Sequence, residues 1–541
     1  MCRHYRWGRR TDRFGVGNVR TVSVWLQEAR AYPEGAVCTP HYLASAAGAA
    51  MLADGGNAVD AAFTANFVLA VVTPYMCGFG GDLLAMVWNG SLNAYRGVGR
   101  APAGASAAFV REQSGETEMP VFGPHPVTVP GAVEAWFTLI DKFATRPFGE
   151  LVGRALHYAE HGFPLTKRGA WFFENSALLY GHFGLTDFHD AYGDLRAGDW
   201  VRQPALARMI RALAESGPDA YYRGPIGEAI AERIQAAGGC MTAADIAAHE
   251  GAWVEPLRAP FRGAEILEMP PPTQGLAALE ALRIADALDL GTDGPEREHL
   301  LIEAMKLALA DRRAYLGDPD AMTIPPERLY SDAWVAARRA QIDSTRAREA
   351  VPHREPDGGT IYMCAADRDG MLVSLIQSNF SGAGSGLRVH EWGLNLHNRG
   401  SAFVLDDAHP NGIGPRKMPL HTLIPALALR DARPWLVFGS EGGHGQAQTH
   451  TQLMVRMLVD GDDPQAAISA PRFTIDPGTG RIAIEDHFPS EWIDELRRRG
   501  HEIDVVRGYR HGPGIAHAIR CEEPGYLCAS DPRAEGGTAG L

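Results

Sequence analysis

Residues Asp357–Phe380 read DGGTIYMCAADRDGMLVSLIQSNF. Two apolar, β-branched runs, 360–366 and 371–379, flank the turn Asp367-Arg368-Asp369-Gly370, the pattern of one β-hairpin. Setting Ala366 opposite Met371 and counting back along both arms puts Thr360 opposite Gln377, with Ser378 one residue away. A threonine heading a strand beside a second hydroxyl is either a nucleophile with its helper or a pair that merely suits a strand. This stretch alone leaves both readings open.

The surrounding chain narrows them. It has 541 residues, 45% hydrophobic and 21% charged, the composition of an ordinary soluble globular protein. A formal net charge of −14 gives the surface as a whole no attraction for nucleic acid or anionic membrane. The basic start, residues 1–30, lacks the apolar core and small-residue cleavage site of a secretory signal. The most apolar run, Ala58 to Val72, carries Asp60 and Asn66 and is too short and too polar to span a bilayer. Seven scattered cysteines without a Cys-x-x-Cys read as reduced thiols, so a cytoplasmic protein is expected.

Residues 1–35 show no period and read as an extension. Helical patterning begins after Val37, and Asp54-Gly55-Gly56-Asn57 separates two Ala-rich helices. Cys77-Gly78-Phe79-Gly80-Gly81-Asp82 precedes a strand, not a helix, and so reads as a tight turn and not a phosphate cradle. Residues 132–330 are mostly amphipathic helices, broken by Glu268-Met269-Pro270-Pro271-Pro272-Thr273-Gln274-Gly275, which the missing amide donors make a rigid, exposed connection. Charged Asp343–Asp357 reads as a loose tail ending at Gly359. Strands are expected near 423–429, 435–439 and 481–485. Gly439-Ser440-Glu441-Gly442-Gly443-His444 misses the G-x-S-x-G elbow, because Phe438 stands two before the serine. Its glycine pair is either an ordinary turn or two bare amides aimed at an oxyanion. His444 and His450 have no third ligand at a regular spacing, so no metal and no cofactor are expected.

Ten segments in order carry a family resemblance: GGNAVDAAFTANFVLAVVTP, GFGGD, VPGAVEAW, GGCMTAADIAAHE, PPPTQG, EAMKLALADRRAYLGDP, DGGT, DRDGMLVSLIQSN, HNRGSAF and APRF. From about Val37 to Phe473 the chain resembles the γ-glutamyltranspeptidase family of N-terminal-nucleophile hydrolases. The resemblance implies an α+β fold, a four-layer αββα sandwich, made as a precursor that cuts itself before Thr360. It implies a large chain 36–359, ending at Gly359, and a small chain 360–541. Thr360 is then the nucleophile, Ser378 its hydroxyl partner, and Gly442 and Gly443 the oxyanion donors.

The departures concern the acyl group. The arginine that grips the substrate's α-carboxylate in glutathione-cleaving members is Val98 here, with Arg100 close by. Their ammonium-holding Asn, Gln or Glu, and Asp correspond to Phe380, Arg399 and Ala402, and their Ser-Ser pair to His421-Thr422. Arg399, His421, Thr422, Asn379 and Arg100 are the candidate substrate contacts. A pocket that loses carboxylates and gains an arginine suits an anion better than an ammonium. The expected activity is therefore hydrolysis or acyl transfer on a small acyl amide, glutaryl- or oxamate-like, with water or an amine as acceptor. A genuine γ-glutamyltransferase and a catalytically inactive binding protein are the alternatives. The expected partners are that substrate and the second chain of the same precursor, and a homodimer of the cut unit is compatible with the reading.

Overall fold

The computed structural model describes residues 27–349, 359–507 and 514–541. The expected hairpin is present as the strands Gly359–Ala366 and Leu372–Phe380. Its register differs by one: Ala366 pairs with Leu372, and Ile361, not Thr360, faces Gln377. The turn explains the shift. Asp367 N–H donates to the Met371 carbonyl at 3.2 Å, while the Asp367 carboxylate accepts the amides of Asp369 and Met371 at 3.0 and 3.1 Å. Met371 thus belongs to the turn, which closes over three residues with Gly370 at φ +82° in the left-handed region. A bulge between Gly359 and Ile361 then absorbs one residue, so that Gly359 pairs with Phe380.

Two seven-stranded sheets carry the fold. The first runs, in spatial order, Gly537–Gly540, Ala36–Thr39, Gly359–Ala366, Leu372–Phe380, Asp82–Trp88, Leu92–Gly97 and Ala252–Val254. The second runs Arg30–Tyr32, Tyr526–Ser530, Ala516–Cys521, Arg433–Ser440, Ala426–Arg430, Ala264–Glu268 and Leu257–Phe261. Every pairing in both is antiparallel. Residues 30–32 of the expected extension are thus an edge strand, and residues 1–26 lie outside the described residues.

Alternation along the hairpin sorts its side chains into two cores. Tyr362, Cys364, Ala366, Leu372 and Ile376 face the second sheet and meet Leu427, Val437 and Ile519 there. Ile361, Met363, Ala365, Val373 and Leu375 face the opposite way, onto a layer that includes the helices Tyr42–Ala53, Ala58–Val72 and Ala132–Phe143. On the far side, Gly275–Asp286, Pro295–Tyr315 and Gly445–Val455 cover the second sheet. The result is a helix–sheet–sheet–helix sandwich, as expected.

Two expectations are corrected. Residues 269–275, expected as an exposed connection, are mostly buried, because the Thr273–Gln274 backbone docks on His421. The start of the expected loose tail is anchored: Ala347 N–H donates to the Arg499 carbonyl at 2.7 Å, and Lys306 Nζ to the Arg348 carbonyl at 2.7 Å. Residues 350–358 lie outside the described residues.

The two polar residues of the helix Ala58–Val72 have structural tasks. Asp60 completes a capping box with Asn57. Asn66 receives Trp136 Nε1–H at 2.7 Å and donates to Gln377 Oε1 at 2.9 Å, all three buried. Asn66→Leu would strand both partners in an apolar layer. We expect a loss of about 2–4 kcal/mol in urea unfolding, the penalty of two unsatisfied buried groups; a loss below about 1 kcal/mol would show that the layer repacks around them.

Candidate active site

The parity that builds the inter-sheet core also places the hydroxyls. Ser378 lies on the same strand face as Leu372 and Ile376, and the bulge brings Thr360 to it. Thr360 Oγ1 donates to Ser378 Oγ at 3.1 Å. Ser378 Oγ donates in turn to the carbonyl of Gly359 at 2.6 Å and accepts the Phe380 amide at 2.7 Å. The candidate nucleophile, its helper and the carbonyl before it therefore form one buried hydrogen-bonded chain. A Cβ at Gly359 would sit tightly, 3.2 and 3.3 Å from the carbonyl oxygens of Gly382 and Phe380, which would have to give by a few tenths of an ångström. Phe380 is held at φ +72°, a strained value for an aromatic residue.

Arg399 packs beside this chain on a short helical turn, Arg399–Ala402. It is fully buried. Nη1 donates to Thr422 Oγ1 at 3.0 Å, Nη2 reaches Ser378 Oγ only at 3.5 Å, and the Phe380 ring lies 3.8 Å over the guanidinium carbon. Among the described residues no carboxylate lies within ion-pair distance, and Nε has no partner. Burial pulls the guanidinium down to about 9, against the pull of the Asp82 carboxylate. Phe380 and Thr422 also line a cavity of about 360 Å³, together with Ala402, Met119, Leu405 and Leu420. The Phe380 ring, which packs on the guanidinium, is thus part of the cavity wall, and Arg399 lies behind the lining residues.

The remaining candidates divide. The turn Gly442-Gly443 follows the strand Arg433–Ser440, with φ +119° and +55°, and neither amide donates a hydrogen bond among the described residues. His421 is buried and turned away from the cavity, giving Nε2–H to Asp82 at 3.0 Å; burial pushes its imidazole down to about 3, so it is neutral. Asn379 points to the opposite sheet face, where its amide donates to the Pro74 carbonyl at 3.3 Å. Arg100 is half exposed, binds Asp318 and the Arg416 carbonyl, and does not line the cavity. Of the two histidines weighed as ligands, His450 meets Glu268 at 2.7 Å and packs on Phe438.

Gln274, which lies in the PPPTQG segment but has no role assigned from sequence, ties the site together. Its Nε2 donates to the carbonyls of Gly443 at 2.7 Å and Thr422 at 2.9 Å, while its Oε1 accepts Arg312 at 2.6 Å. The triproline break reads from sequence only as an interruption. The signal for a role at the site was the long polar side chain at the head of the apolar helix Gly275–Asp286.

The family model for γ-glutamyltranspeptidases matches residues 44–541. The chain belongs to that family. It is 34% identical to the glutathione hydrolase-like YwrD proenzyme of Bacillus subtilis, over 93% of this chain and 98% of the relative. It is also 34% identical to the oxamate amidohydrolase proenzyme of Klebsiella pneumoniae, over 94% and 98%. A crystal structure of cephalosporin acylase from Bacillus halodurans superposes with a TM-score of 0.91 at 34% identity, covering 98% of this chain and 99% of that one. This member of the γ-glutamyltranspeptidase family is thus an enzyme with the fold of the N-terminal-nucleophile hydrolases, and its relatives are made as proenzymes. Among the described residues no helix is long and apolar enough to cross a membrane.

Gln274→Ala would release the Gly442-Gly443 turn from Thr422. We expect turnover to fall by about 100-fold, the scale of a misplacement near 1 Å at a reacting centre, with the fold retained by circular dichroism. Turnover within about threefold of wild type would show that the turn is positioned without this tie.

Proposed function

We propose that the chain cuts itself between Gly359 and Thr360 and then works as an N-terminal-threonine amide hydrolase or acyltransferase. Its preferred acyl group is short, ends in a carboxylate and lacks an α-amino group, as in glutaryl or oxalyl amides. In this reading residues 36–359, with the edge strand Arg30–Tyr32 that precedes them, belong to the large chain and 360–541 form the small one.

Maturation uses the buried chain of hydroxyls. Ser378 polarises the Gly359 carbonyl by donating to it, and Thr360 Oγ1 attacks the carbonyl carbon. The C–N bond breaks, the proton of the attacking hydroxyl passes to the nitrogen, which becomes a free amine, and the acyl group passes to oxygen. Water cleaves that ester, leaving a Gly359 carboxylate and a free Thr360. The new amine has an ordinary pKa of about 7.7–8.0, so part of it is neutral at pH 7 and takes the hydroxyl's own proton. In turnover the same oxygen attacks the substrate amide, Gly442 and Gly443 receive the oxyanion, the amine leaves, and water or a second amine resolves the acyl-enzyme.

The observation that carries the substrate reading is Arg399. A buried guanidinium without an anionic partner is unfavourable, and the remedy is a ligand that brings the anion. Arginine's planar fork fits a carboxylate, and an ammonium beside it would be repelled. Phe380 and Ala402 offer that ammonium no carboxylate in compensation. The relationship to an oxamate amidohydrolase supports the same reading.

Intact-mass measurement of the purified protein should show two chains meeting at Gly359/Thr360. Thr360→Ala should stay whole and inactive, and Ser378→Ala should slow both cutting and turnover by about 10²–10⁴-fold. A single full-length chain that turns over amides would sink the self-cutting mechanism.

With glutaryl and γ-glutamyl anilides competing in one tube, kcat/KM should favour glutaryl. Arg399→Gln should shrink that preference by about 1.5–3 kcal/mol, the scale of a charge-assisted hydrogen bond. If γ-glutamyl wins by about tenfold or more, the enzyme is a γ-glutamyl hydrolase whose clamp uses other residues.

A further inference from the structure

The GFGGD turn ends in a carboxylate that the mechanism above does not use. Asp82 opens the strand Asp82–Trp88 and lies directly across the ladder from Ser378. Cross-strand partners share a sheet face, so its side chain enters the same inter-sheet space as the hydroxyl pair. It is fully buried. Oδ1 accepts the amides of Gly99 at 3.2 Å and Gly131 at 3.1 Å. Oδ2 accepts His421 Nε2–H at 3.0 Å and lies 3.3 Å from His397 Nδ1. His397 is itself fixed by donating from Nε2 to the Thr128 carbonyl at 2.7 Å.

Those two histidines are the local neighbours of the acyl site. His421 immediately precedes Thr422, which accepts from Arg399, and His397 stands two residues before Arg399 itself. One carboxylate therefore bonds His421 and stands beside His397, on the two segments that carry Thr422 and Arg399. Burial opposes its charge, yet His397 and His421 hold the carboxyl far below the usual carboxylate range, so Asp82 is ionised. Ser378, Phe380 and Thr422 touch Arg399, His421 and Asp82 act on it electrostatically without contact, and of these groups Asp82 is the carboxylate.

We propose that Asp82 is a positioning residue for the acyl site: through His421 and His397 it fixes the Thr422–Arg399 pair, and it is the buried counter-charge of the Arg399 guanidinium. This rests on the reading of Arg399 as the carboxylate contact and deepens it. The fork keeps Nε without a partner, while Asp82 supplies a negative charge without touching the guanidinium. A substrate carboxylate then meets an arginine already oriented and already charged. A carboxylate in direct contact with Arg399 would occupy the fork that the substrate needs.

The test uses Asp82→Asn, which keeps the size of the side chain and an acceptor for the two glycine amides. The first measurement is a melting-temperature cycle on the full chain with Asp82→Asn, Arg399→Met and the double variant. If Asp82 is the counter-charge, Asp82→Asn lowers the melting temperature and adding Arg399→Met restores part of the loss. Strictly additive shifts overturn the proposal. The second is the ratio of kcat/KM for glutaryl over butyryl anilide against pH. In wild type the ratio should hold until about pH 9, where Arg399 loses its proton. Removing a negative neighbour makes the guanidinium easier to deprotonate, which sets the sign; in Asp82→Asn the decline should begin at lower pH, and the ratio at pH 8 should drop by about tenfold or more.

His421→Gln, which cuts the link but leaves the charge, should lower the ratio without moving the pH of its decline. An Asp82→Asn ratio that tracks the wild-type curve overturns the proposal, whatever the effect on total activity. A wild-type enzyme with no preference for glutaryl would instead refute the Arg399 reading, and the melting cycle would still decide whether the two buried charges are coupled.

Discussion

The candidate site depends on how one hydroxyl is shared. A serine side chain has one hydrogen to give and two lone pairs to receive. Ser378 gives its hydrogen to the Gly359 carbonyl and receives the Phe380 amide and the Thr360 hydroxyl. It is then saturated. Arg399 Nη2, at 3.5 Å, is left without a full bond from this oxygen. The same hydroxyl bonds both Thr360 and the carbonyl that precedes it, which is the arrangement the proposed self-cutting would use. If that carbonyl departs in the proposed cut, the Ser378 hydrogen becomes free for another acceptor.

Burying a guanidinium among uncharged groups is costly, and the fold distributes that cost. The Phe380 ring shields one face of Arg399, Thr422 takes one of its hydrogens, and Asp82 acts from a layer deeper. None of these satisfies the whole fork. An apolar side chain of the same volume would be more stable here, so the arrangement makes sense as a site that trades stability for an anionic ligand. The strained backbone at Phe380 belongs to the same region and is held there by its pairing with Gly359.

Much of this was legible in the chain because local chemistry decided it. The hairpin, the sandwich and the Thr360–Ser378 pair come from β-branched runs, a glycine turn and ordered motifs. The register was misread by one residue because alternation alone does not distinguish a three-residue turn from a four-residue one; the Asp367 carboxylate makes that choice by capturing two amides. That the hydroxyl pair still formed is due to the bulge, which no periodicity announces. Gln274 and Asp82 were passed over for a different reason. Each does its work on backbone or side-chain groups far away in sequence, such as Thr422 and Gly443 for Gln274 and His421 for Asp82. Asn379 could be placed by parity, since the neighbour of an inward-facing residue faces outward.

The topology makes a cut at the centre of a sheet tolerable. In the first sheet the Gly359–Ala366 and Leu372–Phe380 strands lie between Ala36–Thr39 and Asp82–Trp88, and Gly537–Gly540 pairs on the far side of Ala36–Thr39. In the second, four consecutive strands from residues 426–530 lie between Arg30–Tyr32 and Ala264–Glu268. Chain on either side of residue 359 therefore alternates within both sheets, and each sheet is closed by ladders that cross the proposed cut. A break between Gly359 and Thr360 falls at the bulge, where the ladder is already interrupted. It sacrifices the Gly359–Phe380 contact and leaves the pairing from Ile361 to Ala366 intact. The two pieces stay joined by strand pairing and by the core between the sheets, and the freed end of the strand opens where the hydroxyl chain already lies. A fold in which the halves packed as separate domains would lose the site on cutting; here the interleaving would keep Thr360, Arg399 and the Gly442-Gly443 turn in one scaffold before and after the proposed cut.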